Sequence, residues 1–111
     1  AAAIAALGEQ IQSLGDEEAK NLLVSALQDP EADVRIEATA LLGTLDAQIW
    51  ANPLLIRMLD DPSESVRKNA ALSLMKLKDL NAIQKLKERS SKESNKYVLE
   101  IIHLAIQQIS R

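Results

Sequence analysis

Apolar side chains recur along this chain at steps of three and four residues, the spacing that gathers them on one face of a helix. One such stripe comprises Val34, Ala38, Leu41, Leu42 and Leu45, and a second comprises Val66, Ala70, Leu74 and Leu77. Together with weaker stripes, this pattern predicts helices over 1–14, 17–28, 32–45, 50–60, 64–78, 80–90 and 95–110. The chain is therefore predicted to be a series of amphipathic helices.

The two stripes belong to an internal repeat. The segment "LQDPEADVRIEATALLGTL" (27–45) returns as "LDDPSESVRKNAALSLMKL" (59–77). Identities at this offset include Asp29 with Asp61, Pro30 with Pro62, Val34 with Val66, Arg35 with Arg67, Ala38 with Ala70, Leu42 with Leu74 and Leu45 with Leu77. Adding the same offset again leads to Val98, Ile102, Ile106 and Ile109. The apolar stripe therefore continues into a third unit, which lacks the Asp, Pro and Arg shared by the first two. A repeat of this length is typical of stacked helical units that cannot bury their apolar faces alone.

A turn separates two helices within each unit. Pro30 and Pro62 end the first helices of the two clear units, because proline cannot continue a helix and pushes the preceding residue out of the α conformation. Ser63 and Asn95 then stand where a side-chain oxygen can accept hydrogen bonds from the first N–H groups of the following helix. Each unit is thus predicted to be a hairpin of a first and a second helix.

The composition agrees with an all-helical core. The chain has 18 Leu and 16 Ala but four Val, two aromatic residues and no Phe, a bias that favours helix over strand. It has no Cys, which excludes disulfides, thiolate metal sites and thiol nucleophiles. No apolar run approaches the roughly 20 residues that cross a bilayer. We therefore expect a soluble, cytoplasmic protein without membrane insertion.

Charge is distributed unevenly along the chain. Residues 1–64 hold 12 acidic and three basic side chains, whereas residues 65–111 hold ten basic and four acidic ones. The net charge of −3 therefore conceals an acidic half and a basic half. In a linear array of units this asymmetry would also separate the charges in space.

The repeat resembles the HEAT repeat family, in particular the short kind found in phycobilisome lyase-like proteins. The resemblance rests on "LGDEEAKNLLVSALQDPEADVRIEATALLGTL" (14–45) and its second copy. It implies an α-solenoid, a right-handed superhelix of antiparallel helix pairs of the armadillo and HEAT type. The chain would comprise a helix of an incomplete repeat (1–14), then unit one (17–45), unit two (49–77) and unit three (80–110). Because it opens within a second helix, we expect a fragment of a longer array.

The resemblance also implies a structural ladder, in which the Asp of each turn and the Arg of each second helix interact along the stack. The ladder would comprise Asp29, Arg35, Asp61 and Arg67. Unit three carries Glu93 and Leu99 at the corresponding positions. We therefore expect the ladder to end at unit two and unit three to be a terminal cap.

In HEAT proteins the second helices line the concave wall, so the residues there that the core does not use are candidates for protein binding. Helical periodicity selects Ile36, Ala40, Gly43, Lys68, Leu72, Met75, Glu100, Leu104 and Gln107. If this helical phase holds, Leu72, Met75 and Leu104 form an exposed apolar strip, a feature that tends to mark an interface. A phase shifted by one position would instead place them in the core.

No catalytic, cofactor or metal site is predicted. His103 is the sole histidine and lacks a visible partner, so we expect it to lie partly buried between helices. The carboxylate groups Asp60-Asp61 and Asp16-Glu17-Glu18 suit helix N-termini and turns better than acid–base catalysis. Trp50 is expected to pack over a turn between helices, and Tyr97 to lie at the edge of the core.

A basic cluster surrounds the first helix of unit three. It comprises Lys76, Lys78, Lys85, Lys87, Arg89, Lys92 and Lys96. A solvated face is the first interpretation, an acidic protein partner the second, and nucleic acid or lipid head groups the third.

These patterns favour a non-catalytic scaffold that binds a protein or peptide on the concave face of its second helices. The alternative, which the resemblance implies, is an accessory subunit of a bilin lyase or isomerase type of enzyme. The scaffold is expected to bind its partner without a cofactor. The accessory subunit is expected to change its absorption spectrum or its stability when a tetrapyrrole or a lyase subunit is added.

Overall fold

A computed structural model describes residues 16–44 and 50–111, and these residues form six α-helices without any strand. The helices are α1 (Asp16–Ala26), α2 (Ala32–Thr44), α3 (Ala51–Met58), α4 (Glu64–Leu77), α5 (Ile83–Ser90) and α6 (Lys96–Ile109), with a 3-10 turn at Leu80–Ala82 before α5. The predicted all-α class is confirmed. The helix predicted over 1–14 lies outside the described residues.

The helices pack as an α-solenoid of three hairpins. The second helices α2, α4 and α6 lie side by side, with α4 between the other two, and each hairpin also packs α1, α3 or α5 against its second helix. The second helices run parallel. Asn69 and Ser73 of α4 donate to the carbonyls of Ile36 and Thr39 of α2 in the same chain order, and Asn95 before α6 donates to Glu64 at the start of α4. Equivalent positions of neighbouring units are therefore neighbours in space.

Both predicted N-caps are confirmed. The Ser63 hydroxyl accepts from the Val66 N–H at 3.5 Å, and the Asn95 side-chain oxygen accepts from the N–H groups of Tyr97 and Val98 at 3.0 Å. These bonds satisfy N–H groups that have no partner within the helix. The second helices of units two and three consequently begin where the sequence predicts.

The core uses the same positions in successive units. Ala38, Ala70 and Ile102 are fully buried, and so are Leu42 and Leu74. Within each set, neighbouring members stand one repeat length apart, so the stack buries one stripe of each second helix against its first helix and its neighbours. The predicted register is the register of the core in units one and two, whereas Ile106, the counterpart of Leu74 in unit three, is half-buried.

The ladder extends one step further than predicted. Arg35 pairs with Asp61 through Nε at 2.9 Å, and Arg67 pairs with Glu93 through Nε at 2.8 Å and Nη2 at 2.9 Å. Glu93 is the counterpart of Asp61 in unit three and accepts from the N–H of Asn95, as Asp61 does from that of Ser63. The expectation that the ladder ends at unit two is therefore wrong, because a glutamate takes the place of the aspartate.

Opposing influences act on the Glu93 carboxyl, whose side chain is fully buried. Burial raises its pKa, but hydrogen bonds from Arg67 and the Asn95 N–H, with the charges of Arg67 and Arg89, outweigh burial and hold the pKa below its ordinary value. The hydrogen bond to Glu93 likewise raises the pKa of Arg67. The pair therefore stays ionised between units two and three.

Gly43 does not belong to the open inner face. A Cβ at this position would lie 2.2 Å from the Ser73 hydroxyl oxygen, so only glycine permits this approach of α2 to α4. Two hydrogen bonds use the closeness: Ser73 donates to the Thr39 carbonyl at 3.1 Å, and Asn69 donates to the Ile36 carbonyl at 3.3 Å. Gly43 is half-buried, and the side on which a Cβ would project packs against α4.

Candidate protein-binding site

A groove of about 300 Å³ opens on the inner surface between α2 and α4. Its lining residues are Ala40 and Thr44 from α2, with Asn69, Leu72, Ser73, Met75 and Lys76 from α4. Ser73, Asn69 and Thr44 already donate to helix carbonyls, so their oxygens face the groove mainly as acceptors. Lys76 is the cationic donor of the lining, and most of the accessible surface of the lining is apolar. This volume is at the lower limit of typical ligand pockets.

The predicted concave residues lie outside the buried core. Those on α2 and α4 are half-buried: Ile36, Lys68, Leu72 and Met75. Those on α6 are all exposed: Glu100, Leu104 and Gln107. The structure brings Leu72 and Met75 together in the groove, and Met75 also packs against the core. Periodicity missed the contributions of Asn69, Ser73 and Lys76, although each lies within about one turn of Leu72.

A second depression lies beside the first turns of α4 and α6 and has a volume of about 220 Å³. It is lined by Glu64, Ser65, Lys68, Asn95, Tyr97 and Val98. Tyr97 is 76% exposed, so the expectation of a core-edge position is wrong. It is the counterpart of Ser65 in unit three and lies on the inner side of its helix, where no described residue covers it.

His103 and Trp50 have different environments. His103 is exposed, so the expectation of partial burial is wrong; its equivalents Thr39 and Ala71 are buried because a following unit covers them. Trp50 packs partly buried against the core, and the Lys20 amine lies 5.9 Å from the centre of its ring. Within residues 16–44 and 50–111, no group of three or more His, Asp, Glu or Cys side chains suits a metal ion.

The carboxylate of Asp60 ties the turn of unit two to α5. It forms ion pairs with Lys85 and Arg89, and the hydrogen bond from Lys85 is the largest influence that lowers its pKa. Two members of the predicted basic cluster are therefore engaged within the fold. The structural interpretation of the Asp60-Asp61 pair agrees with these contacts.

The remaining lysines of the cluster do not form one surface. Lys87 lies on α5. Lys76 and Lys78 lie at the C-terminal end of α4, whereas Lys92 and Lys96 flank the start of α6. Because α4 and α6 run parallel, these pairs lie at opposite ends of the stack's second helices.

Comparison with known proteins agrees with this architecture. The family model described as HEAT repeats matches residues 31–107. A protein of Synechococcus sp. (strain WH8020), named bilin biosynthesis protein MpeU, is 35% identical over 111 residues. The alignment covers 99% of this chain and 37% of that protein, so the chain spans little more than a third of its relative's length.

None of the helices in the described stretches is both long and apolar enough to span a membrane. The family model covers well over half of the sequence, including helices α2 to α5, most of α6 and the Arg–carboxylate ladder. The chain belongs to the HEAT repeat family.

Proposed function

We propose that this chain is a non-catalytic scaffold that holds a protein or peptide on the inner face of its second helices. The observation that carries the proposal is the partial exposure of apolar side chains on this face. Leu72 and Met75 line an open groove, and Leu104 is 43% exposed on the next helix. Apolar patches exposed on a rigid face tend to mark protein interfaces.

The inner face also suits a partner because it is preorganised. Close packing at Gly43 and the hydrogen bonds of Asn69 and Ser73 hold α2 against α4. A partner that binds there does not have to order the face, so less of the contact energy is lost on binding.

The test is the double substitution Leu72→Asp with Met75→Asp, measured against a partner identified by cross-linking and pull-down. Two carboxylates in the groove should abolish binding, because the apolar side chains of a partner would have to desolvate them. The helical circular dichroism should stay unchanged, since neither side chain is fully buried.

Leu80→Asp is the matched control, because Leu80 is 71% exposed and lies in the 3-10 turn, away from the inner face. It should bind as the unmodified chain does, and so should His103→Ala. Full binding by the double aspartate variant, with loss in Leu80→Asp, would place the interface elsewhere.

A second candidate function is an accessory role in bilin handling, favoured by the 35% identity to a bilin biosynthesis protein. A bilin has apolar pyrrole rings, N–H donors and carboxylates. The groove offers apolar walls, hydroxyl acceptors and the Lys76 amine. The groove would hold only part of a molecule of that size.

Titration with biliverdin tests this candidate. Binding should shift the visible absorption of the bilin and raise the melting temperature of the protein, by mass action on the folded state. Lys76→Glu should weaken the effect. An unchanged spectrum and melting temperature at saturating bilin would remove this candidate and leave the protein-binding scaffold.

A further inference from the structure

One row of small and apolar residues crosses the inner face from helix to helix. Ala40, Leu72 and Leu104 occupy equivalent positions, each one repeat length from the next, on the parallel helices α2, α4 and α6. Ala40 and Leu72 line the groove and Leu104 is 43% exposed. Since packed helices lie about 8–10 Å apart, the row extends over roughly 16–20 Å along the stack.

The step of this row, about 8–10 Å, is nearer to the seven-residue spacing of a helix than to the two-residue spacing of a strand. On an α-helix, residues seven apart lie on nearly the same face and are separated by about 10.5 Å. On an extended strand, residues on one face are separated by about 6.6 Å, so successive contacts would fall out of step with the row. A helix laid along the stack can therefore present one apolar residue to each second helix in turn.

Two lysines flank the middle of the row. Lys68 lies one turn before Leu72 on α4, and Lys76 lies one turn after it. Within residues 16–44 and 50–111 neither lysine takes part in an ion pair, in contrast to Arg67, Lys85 and Arg89. The apolar centre of the inner face therefore lies between two positive charges.

We propose that this face binds an amphipathic helix of a partner protein, with apolar residues at seven-residue intervals and carboxylates on both sides of its central apolar residue. The inference rests on the proposed protein-binding function and specifies the partner's chemistry. The apolar row supplies burial, and the two lysines select acidic flanks and set the partner's position along the row. Complementary charge acts mainly on specificity and association rate.

The probe is a synthetic helix of about 18 residues, long enough to cross the row at about 1.5 Å per residue. It carries leucine at seven-residue intervals and glutamate on both sides of the central leucine. A second peptide differs only by lysine in place of those glutamates. A third has the composition of the first in an alternating order that favours a strand.

Fluorescence anisotropy at low ionic strength should give at least about tenfold tighter binding of the glutamate helix than of the lysine helix, with the difference shrinking as salt is added. Amide chemical shifts of ¹⁵N-labelled protein should change around Ala40, Leu72 and Leu104. Lys68→Glu combined with Lys76→Glu should reverse the preference between the two helices.

Lys87→Glu with Lys92→Glu is the matched control, because it makes the same change of charge at exposed positions outside the second helices. It should preserve the order of the peptides. Equal binding of the peptides, no binding of any, or shifts away from the row would overturn the inference. The protein-binding function would still stand if Leu72→Asp with Met75→Asp abolished binding of the natural partner.

Discussion

Glu93→Ala is expected to lower the free energy of unfolding by about 3–5 kcal/mol, because it leaves the buried guanidinium of Arg67 without its counter-charge. The Glu93 side chain is fully buried, and that of Arg67 is 10% exposed. Glu93 also accepts from Arg89 and from the N–H of Asn95, so the truncation removes two further hydrogen bonds within unit three. Urea denaturation followed by circular dichroism measures the change.

Asp60→Asn is the control, because it removes a carboxylate that forms ion pairs of the same chemistry at the surface. Asp60 pairs with Lys85 and Arg89, but its side chain is 50% exposed. Exposed pairs contribute about 0–1 kcal/mol, because water screens the charges. Equal losses from Glu93→Ala and Asp60→Asn would mean that burial of the Arg67–Glu93 pair has no energetic consequence.

Low pH should remove part of the stabilisation that the Arg67–Glu93 pair provides. Because the pKa of Glu93 is lowered in the folded state, its contribution is complete above the unfolded-state pKa and is lost as the pH falls through the folded-state pKa. The Glu93→Gln variant has no titratable group at this position. Its unfolding free energy should therefore decline less steeply than that of the unmodified chain below about pH 5, and parallel curves would contradict the assignment.

Leu42→Ala and Leu74→Ala are each expected to destabilise the fold by about 2–5 kcal/mol. Both leucines are fully buried at the same position of successive units. The loss combines the transfer free energy of the removed methyl groups with the cavity that the neighbouring helices cannot fill. Urea denaturation at neutral pH measures the loss of unfolding free energy. If the alanine variants do not fold, Leu42→Met, which nearly keeps the side-chain volume, is measured in their place.

The matched control is the same substitution at an exposed leucine. Leu80→Ala should change the unfolding free energy by no more than about 0.5 kcal/mol, since Leu80 is 71% exposed. Similar small effects at Leu42, Leu74 and Leu80 would contradict the repeat register that makes Leu42 and Leu74 equivalent.

The sequence by itself determined the hairpins and their register. The spacing of Val66, Ala70 and Leu74 specifies one apolar stripe, and Ser63 and Asn95 specify where two helices begin. These signals are local, because helical period, proline geometry and capping act within about one turn of the chain. The all-α solenoid follows from their repetition.

Only the tertiary structure decided which surfaces are covered and which charges meet. Glu93 reaches Arg67 across a sequence separation of 26, Gly43 receives Ser73, and Tyr97 stays exposed on the inner side of its helix. Each depends on how closely neighbouring hairpins pack and on whether a following hairpin covers the helix. Residue type alone does not encode the distance between neighbouring hairpins. In the ladder a glutamate takes the place of an aspartate, because its longer side chain still reaches the arginine.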